Sequence, residues 1–181
     1  MKIILGVTGS IAAYKAADLT NQLTKNGHEV IVAMTQSAQS FITPLTLQTL
    51  SKNEVRLDVM DEPNPKRIEH VDLIKEADVI VIAPATANII AKVANGIADD
   101  MVSTLAMVGH ELPIFMAPAM NTRMYDNPIT VENMKKLKLR GIEFIEPRST
   151  LLACRDVGKG AMATVETIVD YIESSIKTNL K

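Results

Sequence analysis

A small polar turn near the start of the chain has the residue types of a phosphate-binding loop. Gly9, Ser10 and Ile11 follow an apolar run and open a stretch with helical character. Backbone N–H groups at a helix N-terminus, together with a serine hydroxyl, can bind a phosphate. Thr35 and Ser37 follow the next apolar run in the same way, so the two turns predict one mononucleotide phosphate site. The alternative is a tight turn with an N-capping serine, which is common.

Two other kinds of site are not predicted. The first turn carries neither the G-x-G-x-x-G dinucleotide fingerprint nor the Lys-Ser/Thr ending of a P-loop. The sequence therefore predicts no binding site for the adenylate half of a dinucleotide cofactor. Asp99 and Asp100 are adjacent acidic residues, but no histidine or carboxylate cluster accompanies them in the sequence. We therefore interpret this acidic pair as a helix boundary or an interface, and we predict no metal site.

A third turn, Pro-Ala-Thr-Ala-Asn at positions 84–88, has features that suit a planar ring. Thr86, Ala87 and Asn88 follow the most apolar run in the chain. Small residues let a flat ring approach the backbone, and the Asn88 amide can both donate and accept hydrogen bonds. The pyrimidine edge of a flavin requires that mixed pattern. The alternative is an ordinary helix N-cap formed by Thr86 or Asn88.

A fourth turn, Pro-Ala-Met-Asn-Thr-Arg-Met at positions 118–124, combines an amide with methionines. Met120, Asn121 and Met124 follow another apolar run. A flexible, Met-rich segment at a strand end is a good cover for a cofactor. A capping asparagine beside two core methionines would explain the same residues without any ligand.

Two further residues have the chemistry of acids and bases. Cys154 stands in a Gly-containing segment with arginine and lysine neighbours, which we interpret as a mobile loop reaching Met162. Nearby cations favour the thiolate, although a free cysteine is more often buried and inert. His70 precedes the most apolar run, but a lone histidine is more often a packing or surface residue. His28 and His110 are interpreted as structural.

These turns follow strands that alternate with helices. The pattern predicts a three-layer, Rossmann-like (flavodoxin-like) α/β fold with a mainly parallel sheet and helices on both faces. In such sheets ligands bind beyond the carboxyl ends of the strands, where all four turns lie. The predicted strands are Lys2 to Val7, His28 to Thr35, Asp78 to Ala83 (ended by Pro84), Pro113 to Ala117 and Ile142 to Ile145. The predicted helices are Ile11 to Lys25, Pro44 to Leu50, His70 to Ala77, Asn88 to Asn95, Met101 to Val108, Pro128 to Leu139 and a C-terminal stretch around Val165 to Ile176.

Composition narrows the function classes. The chain has 181 residues, a net charge of −2, 3% aromatic residues and no tryptophan, which is not the pattern of a nucleic-acid-binding protein. No apolar run is long enough for a signal peptide or a membrane span. The single cysteine rules out an intrachain disulfide framework. We predict a cytoplasmic protein that binds neither nucleic acid nor membrane.

Together these segments resemble the phosphopantothenoylcysteine decarboxylases, within the flavin-dependent cysteine decarboxylase family. The matching pieces are the Gly-Ser-Ile turn, His70 with its Val-Asp-Leu sequel, the Pro-Ala-Thr-Ala-Asn turn, the Pro-Ala-Met-Asn run and the Leu-Ala-Cys loop. They occur in order over nearly the whole chain. The resemblance implies a single FMN-binding flavoprotein decarboxylase domain over residues 1–181 and a trimer-based homo-oligomer, a homotrimer or a homododecamer.

The resemblance also implies a reaction in coenzyme A biosynthesis. The substrate would be 4'-phospho-N-pantothenoylcysteine and the product 4'-phosphopantetheine. A direct loss of CO2 from the cysteine carboxylate is slow because the carbanion has no electron sink. Transient oxidation to a thioaldehyde provides one, and the enethiol that remains after CO2 loss is then reduced. The flavin ends as it began, so no external oxidant is required.

Residue roles follow from the resemblance. It implies that His70 is the acid/base of the oxidative half, that Asn121 binds the substrate carboxylate and that Cys154 donates the final proton. Met124, Ala153 and Met162 would line the substrate, and FMN would contact Gly9, Ser10, Ile11, Thr35, Ser37, Thr86, Ala87, Asn88 and Met120. Some relatives have a basic residue where this chain has Leu151, and Arg148 or Arg155 could supply that charge.

Alternatives remain within and outside the family. A peptidyl-cysteine oxidative decarboxylase would stop at the enethiol and would not need a reducing cysteine, so the Ala-Cys loop argues against it. A prenyl-transferring flavin enzyme is disfavoured by the Pro-Ala-Met-Asn run. A non-catalytic flavin-binding regulatory protein would carry long acidic extensions, which this sequence lacks. A plain nucleotide-binding module would be colourless when purified.

Overall fold

The structure, a computed structural model, describes residues 1–62, 64–151 and 157–179. Within them the strands are β1 (Lys2–Val7), β2 (Glu29–Met34), β3 (Val79–Ala85), β4 (Ile114–Pro118), β5 (Glu143–Phe144), β6 (Arg148–Leu151) and β7 (Val157–Ala161). The α-helices are α1 (Lys15–Lys25), α2 (Pro44–Ser51), α3 (Glu69–Glu76), α4 (Ala87–Asn95), α5 (Met101–Val108), α6 (Thr122–Tyr125), α7 (Pro128–Lys138) and α8 (Val165–Asn179). Short 3-10 helices cover Ile11–Tyr14 and Gln36–Ser40.

Among these elements, five strands form one parallel sheet in the order β2-β1-β3-β4-β5. Leu5 in β1 pairs with Val32 on one side and Val81 on the other, so β1 lies between β2 and β3. This strand order is that of flavodoxin-like folds. The predicted fold class is therefore confirmed, and the turns after β1, β2, β3 and β4 all lie along one edge of the sheet.

Two apolar layers cover the sheet because successive strand residues point to opposite faces. Ile3, Leu5 and Val7 pack into one layer with Leu19 of α1 and Ile168 of α8. The strand residues between them face the other layer, among them Ile4, Ile80 and Ile82. Helices α3, α4, α5 and α7 contribute Leu73, Ile89, Ile90, Leu105 and Leu137 to that layer. Helices on both faces thus hold the strand ends in fixed positions.

Helix boundaries are set by local capping. Thr86 accepts a hydrogen bond from the N–H of Ile89 at 3.3 Å and begins α4, and Gly96 ends it in the left-handed region at φ 71°. Asp100 begins α5 by accepting from the N–H of Ser103 at 2.8 Å, in a reciprocal capping box. The Asp99–Asp100 pair is therefore a helix boundary, as predicted.

Many predicted bounds differ from the observed ones by a residue or two, and two predictions about where an element begins or ends are wrong in kind. Pro84 does not end the third strand, which continues to Ala85 with a register shift between Ile82 and Ala85. Proline is tolerated there because an irregular strand end does not require its missing N–H. The predicted first helix is also divided, because Ile11–Tyr14 is a 3-10 turn capped by Ser10 and only Lys15–Lys25 is α-helical.

The segment predicted as a mobile loop is partly a hairpin. β6 and β7 pair antiparallel, with Leu151 opposite Val157. Met162, expected in a mobile flap, is only 1% exposed and packs in the main core, so that interpretation is wrong. Ala153 and Cys154 lie outside the described residues.

Candidate functional site

Three of the four predicted turns meet directly. The Thr8 hydroxyl, at the end of β1, donates to the carbonyl of Pro84 at 2.7 Å and accepts from the N–H of Thr86 at 3.2 Å. Gly9 packs against Ser37, and a Cβ at Gly9 would collide with the Ser37 hydroxyl. The turn after β1 is thereby joined to the turns after β2 and β3. Gly9, Ser37 and Thr86 come together as the sequence predicts.

Two of the hydroxyls in these turns, those of Ser10 and Thr86, also cap helices. Ser10 accepts from the N–H of Ala12 at 3.2 Å, and Thr86 caps α4. Thr35 and Ser37 lie 3.2 Å apart, oxygen to oxygen. A hydroxyl that accepts a capping bond still has its own O–H to donate. Capping and anion binding are therefore compatible at this edge of the sheet.

An open cavity of about 420 Å³ lies beside the turns after β1 and β4. Among the predicted site residues it brings together Ser10, Ile11, Met120, Asn121 and Met162. The remaining wall comes from the start of α1 and from the β6–β7 hairpin (Ala12, Tyr14, Lys15, Ala119, Arg148, Thr150, Gly160 and Ala161). Its volume falls within the range of small-molecule sites.

Asn121 is fixed by the helix that it begins. Its Oδ1 accepts from the N–H of Met124 at 2.8 Å and caps α6. Because the oxygen is engaged, the Nδ2 amino group is left to donate. Nδ2 forms no hydrogen bond with the described part of the chain, and the side chain borders the cavity. Such an amide donor can bind a carboxylate.

The β6–β7 hairpin is docked against this turn. The N–H of Met120 donates to the carbonyl of Gly160 at 3.0 Å. Gly160 has φ +148°, and a Cβ there would collide with the carbonyl oxygen of Met120. A Cβ at Gly158 would likewise collide with the Thr122 side chain. The two glycines allow the hairpin to pack directly on the residues around Asn121.

Two cations, Lys15 and Arg148, also border the cavity. Arg148 is oriented by its Nε, which donates to the carbonyl of Met162 at 3.3 Å. Burial, and secondarily the charge of Arg148, lowers the pKa of Lys15. Within residues 1–62, 64–151 and 157–179 neither cation forms an ion pair. Together they form a place for an anion.

Sequence reasoning left Arg148 as one of two options and missed Lys15. The available signal for Lys15 was its position four residues after Ile11, which places it one turn beyond the polar turn. Arg148 carried no such signal because only the pairing of β6 with β7 brings it to the cavity.

Other predicted residues lie apart from the cavity. Met124 is 45% exposed and does not border it. Ala87 and Asn88 are the first residues of α4, and Asn88 is exposed. Thr35 and Ser37 lie at the end of β2. The planar-ring residues therefore face an open edge rather than an enclosed pocket.

His70 is also separate from Asn121 within one chain. It is the second residue of α3, and the preceding Glu69 is bound by Arg56, whose backbone pairs beside β2. Asn121 follows β4, three strand spacings or roughly 14 Å across the sheet from β2. The structure does not bring these two predicted catalytic residues together in a single copy.

The described residues contain no group of three or more His, Cys, Asp or Glu side chains that could hold a metal ion. Lys92 neutralises the acidic pair, with its Nζ 2.6 Å from Asp99 and 2.8 Å from Asp100. Over the same residues, no helix combines the length and hydropathy needed to cross a bilayer.

Comparison with known sequences finds close relatives. The chain is 53% identical over 176 residues to a probable phosphopantothenoylcysteine decarboxylase of Streptococcus mutans, covering 97% of this chain and 98% of that one. It is 48% identical to the coenzyme A biosynthesis bifunctional protein CoaBC of Bacillus subtilis, covering 94% of this chain but 42% of the bifunctional protein. The chain thus matches the whole of one relative and part of the other.

Comparison with solved structures agrees. A PPC decarboxylase mutant complexed with pantothenoylaminoethenethiol superposes with a TM-score of 0.90 at 32% identity, covering 97% of this chain and 98% of that one. The FMN binding protein AtHal3 superposes with a TM-score of 0.86 at 32% identity, covering 98% and 97%. The Flavoprotein family matches residues 1–177 of the sequence. The chain therefore belongs to the Flavoprotein family.

Proposed function

We propose that this protein is an FMN-dependent decarboxylase in coenzyme A biosynthesis that converts 4'-phospho-N-pantothenoylcysteine to 4'-phosphopantetheine and CO2. The observation that carries the proposal is a single cavity that is lined by the Asn121 amide and by two cations, Lys15 and Arg148. The substrate has a carboxylate at one end and a phosphate at the other, so each anion meets a donor. The name of the Streptococcus mutans relative supports the same reaction.

The residues present fit FMN. Ser10, Thr35, Ser37 and Thr86 are hydroxyl residues at adjoining strand ends. Either Thr35 or Ser37 donates to the other, and the remaining O–H groups can donate to a phosphate. The missing side chain of Gly9 makes room for Ser37 beside it. We infer that these turns hold the phosphate and that the Thr86-Ala87-Asn88 edge and Met120 contact the ring. Bound FMN would supply reversible two-electron chemistry.

The chain's own residues bind, orient and move protons. Asn121 Nδ2 donates to the substrate carboxylate. This hydrogen bond orients the group that leaves as CO2. Lys15 and Arg148 bind the substrate phosphate. They thereby fix where the cysteine end of the substrate lies in the cavity. His70 takes the thiol proton during oxidation, and Cys154 returns a proton to carbon in the final reduction. A thiol is acidic enough for that last step.

We further propose that the working unit is a homo-oligomer built from trimers, in the cytoplasm. The separation of His70 from Asn121 within one chain supports a site completed by a second copy. Ile11, Tyr14, Phe41 and Leu45 are large apolar side chains that are 45–70% exposed near this edge. Such residues are suited to contacts between copies. Light scattering of the purified holoprotein measures the number of copies.

The alternative substrate is a peptide with a C-terminal cysteine. The two cations at the cavity favour the phosphate, because a peptide with a C-terminal cysteine has no phosphate for them to bind. A non-catalytic flavin-binding role is disfavoured by the donor left free on Asn121. The protein is expected to be yellow, to release FMN rather than FAD on heating, and to act on the phosphorylated substrate.

The decisive experiment follows the product mass after the purified protein is mixed with 4'-phospho-N-pantothenoylcysteine. Loss of CO2 with no other change supports the complete reaction. A product two hydrogens lighter would mean that the chain stops at the enethiol. Absence of any CO2 loss, or a colourless protein, would contradict the proposed function.

A further inference from the structure

His70 presents its two ring nitrogens to different surroundings. Nδ1 is buried and forms no hydrogen bond within the part of the chain that the structure describes. Nε2 does not share this burial, and the side chain as a whole is 23% exposed. A buried polar atom without a partner costs free energy, so the group that faces Nδ1 decides which nitrogen holds the proton.

The group that faces Nδ1 is the carboxylate of Glu62. Its Oε1 lies 3.7 Å from Nδ1. Both carboxylate oxygens lie within hydrogen-bond distance of the N–H of Glu69, at 3.2 Å and 2.9 Å. Glu69 is the first residue of α3, where the helix dipole favours an anion. Glu62 is therefore held in place independently of His70.

The other charges near His70 are already paired. Glu69 is 8% exposed, and its Oε2 lies 3.4 Å from Nε of Arg56. Over the described ranges, His70 is the only charged partner of Glu62. Among the described residues, no other charged group competes with the His70 imidazole for the Glu62 carboxylate.

We propose that Glu62 is a positioning residue that holds the His70 ring with a proton on Nδ1 and leaves the Nε2 lone pair for the substrate. The proposal rests on the proposed function, which makes His70 the acid/base. A carboxylate that fixes the tautomer of a histidine is an established catalytic arrangement. The 3.7 Å separation is longer than a hydrogen bond, but such contacts tighten when substrate binds. When Nε2 takes the thiol proton, Nδ1 keeps its own, and the imidazolium lies against the carboxylate.

Glu62→Gln is a sharp test because it keeps the helix cap and reverses the tautomer. The amide oxygen can accept from the N–H of Glu69, and the amide N–H2 then faces Nδ1 and donates to it. The proton of His70 must move to Nε2. We expect kcat to fall about tenfold to a hundredfold, with KM changed less than about twofold. FMN content, oligomer mass and melting temperature should match those of the unmodified protein.

The matched control is Glu111→Gln. Glu111 also neighbours a histidine, with 4.0 Å between its Oε1 and Nε2 of His110, but both side chains are at least 74% exposed. That variant should retain full activity. If Glu62→Gln behaves like the control, Glu62 serves only as a helix cap and the proposal is overturned.

A second measurement does not depend on activity. Diethyl pyrocarbonate acylates only a ring nitrogen that has a free lone pair, and peptide mass spectrometry follows each histidine of the holoprotein separately. In Glu62→Gln we expect acylation of His70 to slow about fivefold or more, because its free lone pair is then on the buried Nδ1. Glu62→Asp, which keeps the charge, should retain more of the original rate. Exposed His110 should react equally in all variants.

The two readouts separate the possible failures. If the unmodified protein does not decarboxylate the substrate but Glu62→Gln still slows His70 acylation, the proposed function is wrong. The result would still support the claim that Glu62 fixes the tautomer of His70. Equal acylation of His70 in both proteins would overturn the pair, whatever the activity.

Discussion

At the residue scale, Asn121 uses the two ends of its amide for different purposes. The oxygen caps α6 through the N–H of Met124, and the amino group is left for a substrate carboxylate. Aspartate caps helices as well as asparagine does, so a substitution can remove one function and keep the other. The side chain therefore allows a test of chemistry without a change in folding.

Asn121→Asp should be folded and yellow but inactive. The new carboxylate caps α6 while it places a like charge against the substrate carboxylate. We expect kcat/KM to fall at least about a hundredfold, with melting temperature and FMN content unchanged. Asn127→Asp is the control, since Asn127 caps α7 by accepting from Ile129 at 2.9 Å and does not border the cavity. Normal turnover by Asn121→Asp would remove Asn121 from carboxylate binding.

Arg148→Gln should weaken recognition of the substrate phosphate. A charge-assisted hydrogen bond contributes about 1.5–3 kcal/mol, so KM should rise about tenfold or more with kcat nearly unchanged. The variant should lose its preference for the phosphorylated substrate over the dephosphorylated one. Arg140→Gln, a change at an exposed arginine away from this cavity, should leave KM unaltered. A KM for Arg148→Gln equal to that of the unmodified protein would show that the phosphate binds elsewhere.

Cys154→Ser should separate the two half-reactions. A serine hydroxyl is a far weaker acid than a thiol, so oxidation and CO2 loss should proceed while the final reduction stalls. The enethiol, two hydrogens lighter than the normal product, should appear in the mass spectrum, and the visible flavin absorbance should fall under anaerobic conditions. Normal 4'-phosphopantetheine at a normal rate would exclude Cys154 from the mechanism.

At the element scale, Tyr171 joins the α8 helix to the sheet through a polar contact. The Tyr171 hydroxyl donates to the Glu143 carboxylate at 2.6 Å, and its ring packs edge-on against Phe115 with centroids 5.6 Å apart. The hydrogen bond to Glu143, followed by burial, raises the pKa of Tyr171 to about 12. The neutral phenol is therefore favoured in the folded protein.

Tyr171→Phe should change how stability depends on pH. The folded pKa lies above the ordinary value of 10.0, so the stabilisation is complete below pH 10 and is lost as pH rises towards about 12. We expect the substitution to cost about 1 kcal/mol near neutral pH, and the difference from the unmodified protein to shrink over that window. Thermal denaturation across the pH range measures it. A difference that stays constant up to pH 12 would show that the Tyr171–Glu143 hydrogen bond is not its source.

The β6–β7 hairpin shows how an element can escape prediction. Its strands, Arg-Ser-Thr-Leu and Val-Gly-Lys-Gly-Ala, lack the alternation of apolar and polar residues that indicates a strand. The hairpin also docks on the turn after β4 through Met120 and Gly160, a contact that no local pattern encodes. Tertiary contacts therefore decided an element that local propensity left as a loop.

At the scale of the whole molecule, the division of His70 and Asn121 between separate regions predicts sites shared by two copies. His70→Asn and Asn121→Asp should each be inactive alone. When the two chains are co-expressed or refolded together, sites that combine an intact His70 with an intact Asn121 from another copy should form. Random mixing should restore up to about a quarter of the original activity.

The control for this mixing experiment combines each variant with itself under identical refolding conditions. Activity should return only in the mixture of the two variants, and light scattering should give the same mass for all samples. A mixture that stays inactive, although its chains co-assemble, would mean that both residues act within one copy.

The sequence by itself determined the fold class and most elements. The strand Lys2–Val7 and the helix Met101–Val108 were predicted with their observed bounds. Both elements are buried, and buried elements show a local pattern of apolar residues that can be recognised in the sequence. The turns after β1, β2 and β3 were predicted to adjoin for a general reason, since parallel strands end at one edge. Asn121 and Ser10 were identified by residue type and position.

Only the tertiary structure decided what those residues face. Arg148 reaches the cavity that Asn121 lines as part of the β6–β7 hairpin, and the contact of Glu62 with His70 depends on how the segment before α3 folds back on its first turn. These contacts join positions whose spacing in the sequence has no periodic meaning. Packing and charge fix them only after the sheet has formed, and for that reason the sequence could name the chemistry but not the partners that orient it.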